Sequence, residues 1–230
     1  MKVPALSEAL ASRAGLYRPA RDVYHRLFRP DRRAARAQVL GFLGQFGSPG
    51  DLVFDVGAHE DGWTDSFVEL GATVVAVEPM PAPARRIARR HGSSVSVENV
   101  ALGSTVGQAE LRIGRWTSLS SLAPRWIDVV DAGGVDWADR WTGERIVVGV
   151  TTLDELIDRY DVPDFVKIDV EGSEPEVLAG LSRPLRMLSF EALRDAPGLA
   201  HECIERLMDL GRYEFTSCPV STGDSRWAPG

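Results

Sequence analysis

From residue 50 onward the chain repeats a strand–turn–helix unit, and this alternation constrains its fold more than any other feature. Leu52-Val53-Phe54-Asp55-Val56 is a short apolar run ending at Gly57, the pattern of a strand buried on both faces of a parallel sheet. A helix is expected over 62–70, closed by Gly71, and the β-branched run Thr73 to Val77 gives a second strand ending at Glu78-Pro79. A helix over 81–91 and a third strand from Val95 to Val100 follow. Farther along, Leu153 to Tyr160 reads as helix, Phe165 to Asp169 as a fourth strand, Glu174 to Leu181 as helix and Met187 to Glu191 as a fifth strand. The helix Leu199 to Leu210 and the run Tyr213 to Cys218 close the domain. Such alternation predicts an α/β fold with a doubly wound, mostly parallel sheet and right-handed crossovers. Between Leu102 and Gly149 the regularity drops. There Gly107 is placed to turn a hairpin, and Trp116, Trp126, Trp137 and Trp141 sit in a loop-rich stretch, set either to anchor a long loop or to stack on an acceptor.

Residues 1–47 are different. Leu16, Tyr17, Val23, Tyr24, Leu27 and Phe28 recur near helical spacing, and a second helix is expected from Ala34 to Phe46. This N-terminal helical extension is set apart from a domain at 48–230. Residues 1–40 carry nine Lys or Arg against three acids, about +6, although the whole chain has a formal charge of −7. The extension reads as a cap with a solvated basic face or as a surface for an anionic partner. The acidic total argues against nucleic acid as a partner. No apolar run reaches the roughly 20 residues of a membrane span, and no secretion signal is evident, so a cytoplasmic location is expected. Cys203 and Cys218 offer neither a disulfide framework nor metal-ligand spacing. Monomer and homo-oligomer both stay open.

The chemistry lies at the strand ends. In a doubly wound sheet, ligands bind beyond the carboxyl ends of strands where strand order reverses. Asp55, Glu78 and Asp169 stand at such ends, and Gly57 lets backbone approach a ligand closely. A carboxylate closing the second strand suits the two hydroxyls of a ribose. The turn Asp55-Val56-Gly57-Ala58-His59-Glu60-Asp61-Gly62 lacks the glycine spacing that seats a pyrophosphate. Its added acids would repel a pyrophosphate yet suit the cationic sulfonium of S-adenosylmethionine, so the methyl donor is favoured over NAD. Methyl transfer needs near-attack geometry, and a hydroxyl nucleophile gains from a base within reach. Asp169 is the first candidate for that catalytic role, with Glu171 and His59 behind it. Glu174 suits a helix cap as well as it suits chemistry. Glu191 suits acceptor binding or a buried pairing, and Lys167 suits an ion pair with a neighbouring carboxylate. Three carboxylates near Asp169 also raise Mg²⁺ or Ca²⁺, although no metal is assigned.

The strings FDVGAHEDGWT, VEPMP, NVALGSTVG, VTTLDEL and DFVKIDVEGSEPEVLAG resemble the FkbM family of methyltransferases over about residues 50–192. The resemblance implies a Rossmann-like class I methyltransferase fold with S-adenosylmethionine as cofactor. It also implies O-methylation of sugars, polyketides or other natural products, on a small-molecule or glycosylated acceptor. By that resemblance Asp55, Gly57 and Glu78 contact the donor and Ala101 lies near its adenine. The donor set taken from these strings is Asp55, Gly57, Ala58, His59, Thr64, Glu78, Pro79, Ala101 and Asp169. The chain departs from the family at His59 and Met80, where Asn is common, and at Asp61, where Gly is common. An NAD(P)-dependent oxidoreductase and a non-catalytic nucleoside-binding module are the alternative functions.

Overall fold

The structure is a computed structural model that describes residues 40–41, 43–44, 48–60, 62–132 and 141–217. The compact unit treated below is Leu43–Phe215. The helical extension expected over 1–47 lies outside the described residues, apart from Leu40, Gly41 and Leu43, which are helical.

Within this unit β1 (Leu52–Val56), α1 (Trp63–Glu69), β2 (Thr73–Val77), α2 (Pro81–His91) and β3 (Val95–Glu98) form the first half of the sheet. After them come β4 (Ala101–Leu102), β5 (Gly107–Gly114), α3 (Pro124–Asp131) and β6 (Trp141–Thr151). The closing elements are α4 (Leu153–Tyr160), β7 (Phe165–Ile168), α5 (Glu174–Ala179), β8 (Leu188–Phe190) and α6 (Pro197–Leu210). Five parallel strands form the main sheet in the order β3-β2-β1-β7-β8. The chain runs outward from β1 to β3 and then returns to the other side of β1 with β7. Strand order therefore reverses between β1 and β7, and the crevice for a ligand opens there. The α/β doubly wound fold expected from the sequence is the fold found.

Both faces of the sheet are covered, which is why its strands are apolar throughout. On one face Phe54, Val56, Val166 and Ile168 pack with Leu153 and Leu156 of α4 and Leu178 of α5. On the other, Phe67 of α1 meets Phe165 at 5.9 Å between ring centroids. The helices start where the side chains allow it. The Thr152 hydroxyl accepts from the Glu155 amide at 3.1 Å to cap α4. Pro81 opens α2, and Arg89, Arg90 and His91 stand in its last turn, favourable at the negative end of the helix dipole.

The stretch 102–149 corrects the sequence reading. It is not loop-rich, because β5 and β6 pair antiparallel over most of their length, and with β4 they form a second, three-stranded sheet. Gly107 opens β5 rather than turning a hairpin. Trp126 is buried on α3 among Ala123 and Val130, an anchor of the core, whereas Trp116 is exposed. Trp137 lies outside the described residues. The strand expected through Val100 breaks after Glu98, since the Asn99 amide turns aside to donate to the carbonyls of Glu78 and Pro79 at 2.8 and 3.0 Å. Residues 212–217 form no strand.

Leu156 is fully buried where α4 meets the sheet. Leu156→Ala is expected to lower unfolding free energy by about 2–5 kcal/mol. Urea denaturation should show the midpoint falling with an unchanged slope.

Candidate functional site

The site grows from the ends of β1, β2 and β7. Gly57 leaves β1 at φ 74°, and its amide and that of Ala58 both donate to the Val77 carbonyl, at 3.0 and 3.1 Å. A Cβ on Gly57 would stand 1.8 Å from the Asp169 carbonyl oxygen, so only glycine lets the two strand ends pack. The turn then brings the His59 amide to Glu78 Oε2 at 3.0 Å, while the Met80 amide reaches Oε1 at 2.7 Å. Two of about four acceptor directions on the Glu78 carboxylate are thus taken, leaving two for a ligand. Burial pushes this carboxyl above its usual range, and the amides of Met80 and His59 pull against that rise.

Glu78 lines a cleft together with Gly57, His59, Pro79, Ala101, Asp169 and Glu171. Its far wall comes from the second sheet and the turn after it. His59 Nε2 lies 2.9 Å from the Thr117 hydroxyl, and the Ser121 hydroxyl donates to the Glu171 carbonyl at 2.6 Å. Met80, Leu111 and Leu122 give that wall an apolar surface beside the carboxylate.

Beneath the cleft lies a buried charge group. Lys167, inside β7, stands opposite Asp55 in the pairing with β1. Its ammonium is 3.4 Å from Asp55 Oδ1 and 3.2 Å from Asp169 Oδ2, and it donates to the Gly57 carbonyl at 3.2 Å. Thr64 donates to the other Asp55 oxygen at 2.6 Å. Past the end of β7, carboxylate oxygens of Asp169, Glu171 and Glu191 come within 4.8 Å of one another. Partial desolvation, then the Asp169 and Glu174 charges, push Glu191 up to about 8. That carboxyl can hold a proton near neutrality. Three clustered carboxylates also suit a hard cation, but the Lys167 ammonium already brings a positive charge to Asp169.

A family profile described as the methyltransferase FkbM domain matches residues 55–205, two-thirds of the chain. The chain belongs to the FkbM methyltransferase family. It is a methyltransferase whose methyl donor is S-adenosylmethionine, which sets aside the dinucleotide oxidoreductase. The residues present fit this donor. They supply a two-oxygen acceptor at the end of β2, an apolar slot beside it and a turn that admits no Cβ at Gly57. No curated protein matches the chain. Among solved structures it is similar to precorrin-6y C5,15-methyltransferase from Geobacter metallireducens GS-15. Identity there is 16%, coverage is 80% of this chain and 73% of that one, and the TM-score is 0.42. Another is 1,6-didemethyltoxoflavin-N1-methyltransferase from Burkholderia thailandensis, with bound 1,6-didemethyltoxoflavin and S-adenosylhomocysteine. Its identity is 18%, its coverage 69% of this chain and 77% of that one, and its TM-score 0.23. At those TM-scores neither structure bears on the assignment.

The methyltransferase cleft gathers most, though not all, of the residues singled out in the sequence. Gly57, His59, Glu78, Pro79, Ala101, Asp169 and Glu171 line it. Asp55, Ala58 and Thr64 do not; they lie buried beneath its floor, Asp55 fully so. Glu60, placed near the sulfonium in the sequence reading, pairs instead with Arg86 on α2, and Asp61 lies outside the described residues. Lys167 makes the expected ion pair. Cys203 is a buried thiol pushed up to about 12, mainly by burial, and so is inert. Sequence reasoning missed Thr117, Ser121 and Asn99. Only Asn99, a side-chain amide directly after a strand, left a local signal.

Glu174, one residue past the Ser173 N-cap of α5, does not cap that helix. Its Oε1 accepts from the amides of Val170 and Gly172 at 3.0 and 3.3 Å, bracing the turn that leads from Asp169 into α5. Burial nevertheless pushes its carboxyl up to about 7. A folded-state value raised above the ordinary 4.5 adds stability below pH 4.5 that is lost as pH rises through about 7. Glu174→Gln is therefore expected to remove that decline of up to about 3 kcal/mol from the wild-type curve. Urea midpoints recorded from pH 4.5 to 8 for both proteins check it.

Proposed function

We propose that the chain is an O-methyltransferase acting on a hydroxyl of a sugar, polyketide or other natural product. The observation that carries this reading is Asp169. Its carboxylate is 32% exposed, lines the same cleft as Glu78 and comes within 4.8 Å of Glu191, a second carboxyl able to hold a proton. A hydroxyl acceptor needs such a group, because its proton must leave as the oxygen is alkylated.

S-adenosylmethionine, when bound, supplies an electrophilic methyl group on a positively charged sulfur. Glu78 accepts the ribose hydroxyls through the oxygen directions left free by His59 and Met80. Ala101, Met80 and Leu111 flank the adenine, while Gly57 and Pro79 allow backbone to close on the nucleoside. Asp169 would orient the acceptor hydroxyl and take up its proton. Glu171 and His59 stand on the rim, and the hydroxyls of Ser118 and Ser120 offer partners to a polyhydroxyl acceptor. Asp55 and Thr64 act from below, by holding Lys167 and the start of α1.

Calorimetric titration with S-adenosylhomocysteine, with NAD as control, tests the donor half. Micromolar binding of the first alone is expected, and no binding of either would leave only a module that has lost its donor. Glu78→Ala should weaken that binding by roughly 10- to 100-fold, the loss of a charge-assisted hydrogen bond. Asp169→Asn should lower turnover by roughly 10²- to 10⁴-fold while leaving S-adenosylhomocysteine affinity largely unchanged. An acceptor screen with isotopically labelled donor reads the chemistry. Labelled ethers support the proposal, and labelled amines in their place would overturn the hydroxyl acceptor.

A further inference from the structure

Lys167 is the one charged side chain of β7, and its own side chain is only 5% exposed. Burying an ammonium and a carboxylate costs several kcal/mol per ion before their attraction is counted, and an apolar pair of similar volume often serves stability as well. Stability alone therefore gives little reason for a lysine in a strand that is otherwise Phe165, Val166 and Ile168. Its contacts show what else it reaches. One ammonium joins Asp55 inside β1, the carbonyl of Gly57 in the donor turn and the Asp169 carboxylate past the end of β7. The Trp63 ring lies 6.0 Å away and shields the group.

Resting on the donor reading above, we propose that Lys167 is a positioning residue of the transfer. Its ammonium locks Asp169 to the donor turn and tempers the pull of that carboxylate on the sulfonium, so that donor and product are held with comparable strength. The electrostatic reasoning is direct. The donor carries a positive sulfur, the product a neutral one, and the acidic groups Glu78, Asp169 and Glu171 line the cleft. Left unopposed, they would favour the cation over the neutral thioether. A positive charge 3.2 Å from Asp169 offsets part of that field. It also fixes the carboxylate where the Gly57–Asp169 crossing leaves no space for a side chain to intervene.

The ratio of the dissociation constants for S-adenosylmethionine and S-adenosylhomocysteine, measured by calorimetry on the full chain, tests this without any acceptor. Lys167→Met should lower the ratio roughly 30-fold in favour of the donor, the effect of one unit charge about 8 Å away at an effective dielectric near 20. Lys167→Arg should restore it. A merely structural lysine would weaken both ligands alike and leave the ratio unmoved. Lys167→Met could leave Asp55 uncompensated and fail to fold. The double variant Asp55→Asn with Lys167→Met removes both buried charges and should lower the ratio in the same direction by less, because the Asp55 charge lost with it opposes that of the ammonium. An unchanged ratio in whichever of these folds overturns the proposal while the donor reading stands. Failure of the wild-type protein to bind either ligand overturns the donor reading, and the proposal with it.

Discussion

Asp55 and Lys167 face one another across the β1–β7 pair, two charges set inside strands whose other side chains are apolar. Neither is stable there without the other, so their meeting pins the register of the two strands. A slip by one residue would turn each side chain to the opposite face of the sheet and set a lone carboxylate against Phe54's neighbours in the core. With the register pinned, the ends of β1 and β7 arrive together. Gly57 then packs on Asp169 with no Cβ between them, and the donor turn and the Asp169 carboxylate become parts of one rigid corner. Glu78 joins the corner through the amides of His59 and Met80.

The carboxyl groups at this corner differ by environment rather than by chemistry. Glu174 is buried and spent on backbone amides, so it serves the turn before α5. Asp169 opens to the cleft and stands between a lysine and a second carboxyl. Glu191, beside Asp169, is where a proton finds a place near neutral pH. Identical functional groups a few residues apart along the chain thus hold separate tasks, as in other sites where burial and neighbours separate acid–base roles.

Much of the main sheet was legible in the sequence because a parallel strand buried on both faces has to be written as an unbroken apolar run. Leu52 to Val56, Thr73 to Val77, Pro81 to His91 and Leu153 to Tyr160 were placed to the residue, and the other strands of the main sheet to within one or two. The second sheet was not legible. The half of β6 from Thr142 to Arg145 is polar and exposed, so no apolar period announces it. What stabilises it is cross-strand, as where Arg145 meets Glu110 at 2.5 Å. The site divides along the same line. Glu78 and Gly57 were readable from their positions at strand ends. Asp55 read as a donor contact because its partner lies 112 residues farther along, beyond the reach of any local pattern. Thr117 and Ser121 belong to the wall built by the second sheet and went unseen with it.

That wall has its own consequence for which substitutions the protein tolerates. The corner beneath the cleft is fixed by buried charges and a glycine with no alternative, whereas the facing side is carried on a small sheet with a polar, solvent-facing edge and a turn at Thr117–Leu119. Substitutions there meet water and a few hydroxyl contacts, not the packed interior. The far wall of the cleft thus tolerates exchanges at its edge and turn that the floor beneath it cannot.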